Sequence, residues 1–249
     1  MTLAGRNPVA KLAAALLFSL PLVATLDPLT PGLALIVELV LLPLFGLRYA
    51  TLARQAWPLL LAAAGVLVTM VLFAADRSGD LLVSLGPIDV TTGVLATAAG
   101  LVLRLFAIAL PGVIVFATTD PTDLADALVQ NAKAPARFAI GALAAFRLLP
   151  LLGSEWQMLT LARRARGVDS GVRAFPAMAF ALLVGALRRG GRLAVAMDAR
   201  GFDSGVPRTY ARRQTFGAAD GALIAGAVLL AALCLVTTVL TGLFRPIIG

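Results

Sequence analysis

The chain has 249 residues, of which 60% are hydrophobic and 14% charged, with 21 Lys and Arg against 13 Asp and Glu. So few charges cannot clothe a soluble domain of this size, and lipid is the solvent that tolerates the balance. With no histidine and one cysteine, Cys234, the composition excludes a disulfide framework, Cys/His metal clusters and His-based catalysis.

Asn7-Pro8 opens the first predicted helix, with Lys11 one turn in. The apolar run from Val9 to Leu26 matches about one bilayer crossing. It ends at Leu26-Asp27-Pro28 without a small-residue cleavage site, so it is expected to be retained. After the turn Asp27–Pro31, a second run, Gly32 to Leu47, returns the chain. Arg48 and Arg54 flank a short loop, and Trp57 to Ala75 crosses again. The stretch 76–92 holds Asp76, Asp80 and Asp89 against Arg77 and reads as a net acidic loop. Gly93 to Thr118 crosses back. The last run, Ala218 to Phe244, holds Cys234, which reads there as a small hydrophobe. Asp220, at its start, is expected to reach water.

The sequence therefore predicts an all-α membrane protein with about five transmembrane helices plus long cytoplasmic or interfacial coupling helices. Residues 133–213 hold 14 of the 21 Lys and Arg and four acids, Glu155, Asp169, Asp198 and Asp203. So localised a basic block argues for a cytoplasmic face rather than for nucleic acid. With Arg6, Lys11, Arg48 and Arg54 on the same side, the N-terminus is expected in the cytoplasm and the C-terminus outside. Three parts are expected: 1–118 with four spans, 119–213 with the coupling helices, and 214–249 with the last span.

Within 119–213, Asp120 is placed to cap a short helix that starts at Pro121 and runs to about Lys133. Asp123 favours its positive end. One long helix is expected from Pro135 to Arg166 and another from Arg173 to Arg200. The apolar segments Phe138–Gly153 and Phe175–Leu187 would preserve the topology if they crossed as two further spans. Both are short, and both run into arginine-rich helix. On the second rod Arg189, Arg192 and Arg200 fall within about 80°, with Phe180, Leu183 and Leu187 roughly opposite. That pattern suits the boundary between bilayer and cytosol. An exposed apolar stripe of this kind marks an interaction surface.

The most specific feature is a repeat. Ala165-Arg166-Gly167-Val168-Asp169-Ser170-Gly171 returns 34 residues later as Ala199-Arg200-Gly201-Phe202-Asp203-Ser204-Gly205, with six of seven positions identical. Glycine there is a natural helix C-cap, so each arginine sits at the tip of a rod. Two exposed forks of N–H donors read as two equivalent docking plugs. The competing reading is that each Arg satisfies the terminal carbonyls of its own helix. Asp169 and Asp203 follow glycines and read as turn residues rather than paired catalytic carboxylates.

Glu38 and Arg104 sit inside apolar runs, where charge is costly, and one is a candidate partner for the other in a structural ion pair. No G-x-x-x-x-G-K-[ST] phosphate loop occurs, so the chain itself lacks this means of holding ATP.

Several phrases along residues 5–245 resemble the transmembrane T component (EcfT/CbiQ-like) of energy-coupling factor (ECF) transporters. They are Asn7-Pro8 with Lys11-Leu12, Leu103-Arg104-Leu105, Thr118-Thr119-Asp120-Pro121 and Arg147–Leu152 with Glu155. The two helix ends, Ala162–Gly167 and Ala196–Phe202, complete the set. The resemblance implies a non-catalytic energy-coupling subunit of a vitamin or metal-ion importer in the cell membrane. It would join two cytoplasmic ATP-binding-cassette ATPases to a small substrate-binding membrane subunit. Arg166 with Ala165 and Gly167 would dock one ATPase, and Arg200 with Ala199 and Gly201 the other. Phe180, Leu183 and Leu187 are expected to contact the substrate-binding subunit. No cofactor, metal or nucleic acid is expected. The alternative is a stand-alone secondary transporter or channel, which would need polar groups converging at mid-membrane or inverted repeats. The repeat here is parallel.

Overall fold

A backbone in lipid must satisfy its N–H and C=O groups within its own segment, and the apolar runs do so as helices. The computed structural model describes residues 3–23, 25, 27–73, 79–85, 88–168, 171–202, 204–206 and 209–242. Among these, the helices are α1 (Pro8–Val23), α2 (Leu29–Leu41), α3 (Tyr49–Phe73), α4 (Thr92–Thr118), α5 (Pro121–Gln130), α6 (Ala136–Ala165), α7 (Phe175–Asp198) and α8 (Ala218–Leu240). The protein is an all-α membrane protein. Asp76, Arg77, Asp169, Ser170 and Asp203 lie outside the described residues.

The five expected spans correspond to α1, α2, α3, α4 and α8, with two differences. α3, α4 and α8 are long and apolar enough to cross a bilayer, but α1 has 16 residues and α2 only 13. α2 stops at Leu41 because Pro43 opens a separate 3-10 turn, closed by Gly46 at φ 78°. α6 also reaches the length and apolarity of a span. The stretch read as an acidic loop contains an antiparallel hairpin of β1 (Leu81–Leu85) and β2 (Ile88–Thr91), with Leu85 opposite Ile88. Thr91 ends β2 and caps α4, its hydroxyl accepting from the Val94 amide.

The chain divides into two compact units, one of residues 1–127 with 214–249 and one of residues 128–213. In the first, α4 packs against α1, α2 and α3, and α8 packs against α1 and α2. Ala10, Ala34, Ala98 and Ala107 are fully buried. Small residues at such crossings let backbones approach, which is how helices associate where lipid removes the hydrophobic drive. At Gly100 a side chain would meet the Pro28 ring at 3.3 Å, a tight approach that glycine avoids beneath the α1–α2 turn. Phe18, Leu22, Ala34, Ala107, Ala231 and Cys234 form one core cluster.

Polar clasps fix the helix ends of this unit. Asp27 is buried and caps α2 by accepting from the Thr30 amide at 2.7 Å, while the Thr30 hydroxyl donates to Thr238 of α8 at 2.9 Å. The Asn7 amide donates to Asp220 at 3.0 Å, and Lys11 Nζ donates to the Thr118 carbonyl at 2.9 Å. Asp220 therefore does not reach water as expected; it is buried and also accepts from the Gly217 amide.

In the second unit α6 and α7 pack together as an antiparallel pair. Trp156 of α6 packs in a tilted arrangement against Phe175 at the start of α7, with ring centroids 5.4 Å apart. At the other end Arg137 and Gly141 of α6 share a groove with Met197 and Phe202. Helix α7 runs through Gly190-Gly191 without a break.

Candidate functional site

Both copies of the repeat end their helices by the same hydrogen bonds. At the end of α6, the Gly167 amide donates to the Arg164 carbonyl and the Val168 amide to the Arg163 carbonyl, both at 3.0 Å. At the end of α7, the Gly201 amide donates to Asp198 at 2.8 Å and the Phe202 amide to Met197 at 3.1 Å. These are the two crossing bonds of a Schellman motif. Gly167 and Gly201 take φ of 68° and 72°, the left-handed conformation the motif requires and glycine adopts without strain. In each copy the arginine is the residue just before that glycine.

The terminal carbonyls are thus closed by backbone amides, and the arginine side chains are surplus to the helix ends. Arg166 and Arg200 are both exposed, and among the described residues neither guanidinium has a partner. Their flanking Ala165 and Ala199 are exposed as well. The reading that each arginine satisfies its own helix is not what the structure contains.

The two arginines lie at opposite ends of the α6–α7 pair. Arg166 follows the last turn of α6, whereas Arg200 lies in the segment that meets α6 near its start, at Arg137. α6 has 30 residues, so the tips stand apart by about its length, ~45 Å at 1.5 Å per residue. Between them Arg189 of α7 forms an ion pair with Glu155 of α6, both about a third exposed. This pair was not anticipated. The signal available was opposite charges on two helices joined by a short turn, but spacing alone does not say which faces meet.

The side of α7 that meets α6 carries Gly185 and Arg189. Phe180, Leu183 and Leu187 project from the other side and are 67%, 56% and 67% exposed. They form a bare apolar stripe within this unit, on the face of α7 away from Arg189 and Arg192.

Glu38 and Arg104 do not form the expected pair. One guanidinium nitrogen of Arg104 donates to the Asp27 carbonyl at 3.5 Å, and both carboxylate oxygens of Glu38 are buried without a hydrogen-bond partner. Arg104 directly follows Leu103, whose side chain lies near Gly32, and its guanidinium serves the α1–α2 turn instead. Among the described residues no group of three metal-ligating side chains comes together.

The family model CbiQ, described as a cobalt transport protein, matches residues 2–211. The chain belongs to the CbiQ family. Among its relatives, the energy-coupling factor transporter transmembrane protein EcfT of Limosilactobacillus fermentum is 32% identical over 197 residues, covering 74% of this chain and 73% of the relative. The EcfT protein of Bacillus subtilis is 29% identical over 213 residues, 78% of this chain and 80% of the relative. An ABC transporter ATP-binding protein of Bifidobacterium longum is 29% identical over 169 residues, 62% of this chain and 22% of that protein. As an EcfT/CbiQ-type protein, the chain is a multi-pass T component of an ECF transporter.

Proposed function

We propose that this T component links two cytoplasmic ABC ATPases to a small substrate-binding membrane subunit, in an importer of a vitamin or a metal ion. Arg166 docks one ATPase and Arg200 the other. The observation that carries this reading is the duplicated helix end: two caps closed by the same bonds, each presenting a guanidinium without a partner among the described residues, about the length of α6 apart. A planar fork of donors suits carbonyls and carboxylates in a protein groove. Separation of that order suits two partner chains better than one.

Energy enters from outside this chain, which has no phosphate loop. The Bifidobacterium relative supports the association, because it is named for ATP binding and only 22% of its length resembles this chain. In this reading the ATPases hydrolyse ATP, closure of the ATPase pair moves the two tips, and the α6–α7 pair carries that motion to the substrate-binding subunit. The stripe of Phe180, Leu183 and Leu187 is the surface assigned to that subunit. In this reading the basic block at 133–213 favours residues 119–213 on or near the cytoplasmic face, with the N-terminus inside and the C-terminus outside.

The test is co-purification. Carrying both Arg166→Ala and Arg200→Ala, the membrane-extracted protein is expected to lose both ATPases and ATP-driven uptake while keeping its elution volume. Stoichiometric ATPases and normal uptake in that variant would make the repeated arginine a mere feature of the helix ends.

A further inference from the structure

Helices α1, α2, α4 and α8 leave between them an open cleft of about 290 Å³. Its wall is apolar, with Phe18, Ile114 and Leu230 among its residues, and two charged side chains, Glu38 and Lys11, also line it. Glu38 is 6% exposed, and neither carboxylate oxygen has a hydrogen-bond partner. A buried carboxylate left in this state is costly, because it has lost its water and gained nothing in return. Lys11 is 2% exposed, with Nζ bonded to the Thr118 carbonyl and the Thr119 hydroxyl. An ammonium has three donors, so one remains for a ligand.

The position of these groups along the helices narrows the ligand. Lys11 is in the first turn of α1, Glu38 in the last turn of α2, Leu223 in the second turn of α8, and Val115 in the last turn of α4. All four lie at one end of the bundle, which in the proposed orientation is the cytoplasmic boundary where acyl chains give way to head groups. An occupant that fits has one group that donates N–H bonds, one negative group, and an apolar tail.

We propose that the cleft binds a zwitterionic aminophospholipid of the phosphatidylethanolamine type. Its ammonium donates to Glu38, its phosphate meets Lys11, and an acyl chain lies along Phe18 and Leu230. This site is separate from the arginine tips and does not depend on what they dock. It makes one lipid a structural part of the four-helix junction rather than a passing solvent molecule.

The experiment is native mass spectrometry of the full-length protein released from nanodiscs. The discs contain equal parts phosphatidylethanolamine, phosphatidylcholine and phosphatidylglycerol. The wild-type protein is expected to keep one phosphatidylethanolamine in preference to phosphatidylcholine, whose quaternary ammonium has no N–H to donate. Glu38→Gln is expected to lower that preference about tenfold, the scale of one hydrogen bond to a charged group. Equal retention of the three lipids by the wild-type protein overturns the proposal without recourse to any variant. So does an unchanged preference in a Glu38→Gln protein that elutes normally. If Glu38→Gln instead releases a partner subunit while lipid retention stays the same, Glu38 meets a protein side chain, and the lipid assignment is wrong.

Discussion

Glu155 and Arg189 meet at the crossing of α6 and α7, between two arginine tips that point away from each other. The pair joins the two helices at one place along their length, where Gly185 brings the α7 backbone to within side-chain reach of the Glu155 carboxylate. Small side chains beside the pair allow the close approach, and the charges fix the register. If the tips are to move together, the crossing is where their motion is shared.

Glu155→Ala and Arg189→Ala are each expected to reduce transport more than they reduce stability. Partly exposed pairs contribute about 0.2–1 kcal/mol in double-mutant cycles, so unfolding temperatures should change little. Reversing the charges in Glu155→Arg with Arg189→Glu should recover transport lost in either single reversal. Failure of the double reversal to recover it would show that these positions act separately.

Single truncations at the tips are expected to differ from the double one. Burying a guanidinium at an interface and then removing it costs about 2–5 kcal/mol, partly because its partner is left unpaired. Arg166→Ala or Arg200→Ala alone should weaken one ATPase contact while the other holds the complex together through effective concentration. Lysine at either position should restore only part of the affinity, because a point charge does not reproduce the fork. Titrating detergent-solubilised complexes by light scattering separates these cases. Arg192→Ala, on an exposed stretch of α7, is the control and should bind ATPases as the wild-type protein does.

Much of this arrangement was readable in the sequence. The ends of α6 and α7 followed from Gly167 and Gly201, because glycine after a periodic run is a local signal that needs no tertiary context. Asp120 likewise caps α5, accepting from the Thr122 amide at 2.7 Å, although that helix ends at Gln130 rather than near Lys133. The partners of the buried charges were not readable. Glu38 and Arg104 stood out by their cost, but cost does not reveal which helices adjoin. Asp27 was readable as a turn residue, but not that it is buried and accepts from the Thr30 amide, beside the Thr30 hydroxyl's bond to α8. The hairpin at 81–91 was hidden by the acidic character of the stretch around it, set by Asp76, Asp80 and Asp89, which outweighed Leu81, Leu82, Val83 and Val90.

Gly167→Ala is expected to destabilise the end of α6 by about 1–2 kcal/mol, the strain of a left-handed non-glycine residue. Nothing lies within 4 Å of the position a side chain would take, so the loss is backbone strain and not a clash. Asparagine there should cost less than alanine, since it tolerates this conformation. Hydrogen exchange at the Gly167 and Val168 amides, followed in both variants, measures the effect.

Asp substituted at Leu183 or Leu187 should release the substrate-binding subunit and leave both ATPases attached. The stripe is open to solvent within its own unit, so a charge there does not disturb the packing on α6. Loss of every partner together would indicate a folding defect, and an intact complex would place the subunit elsewhere.

Orientation is open to a labelling measurement. In a Cys234→Ala background, a cysteine at the exposed Asp80 position should react with a membrane-impermeant maleimide added from outside. Reaction only after the cytoplasmic side is made accessible would reverse the assignment of both termini.

The brevity of α1 and α2 has a consequence for the lipid around them. With 16 and 13 residues they extend ~24 and ~20 Å, against a hydrocarbon thickness of about 30 Å. Thinning is one way for a bilayer to keep the ends of such helices in contact with head groups, at a cost of fractions of a kcal/mol per Å. A thinned rim lowers the work of tilting a neighbouring protein through the bilayer, because less acyl chain has to be displaced.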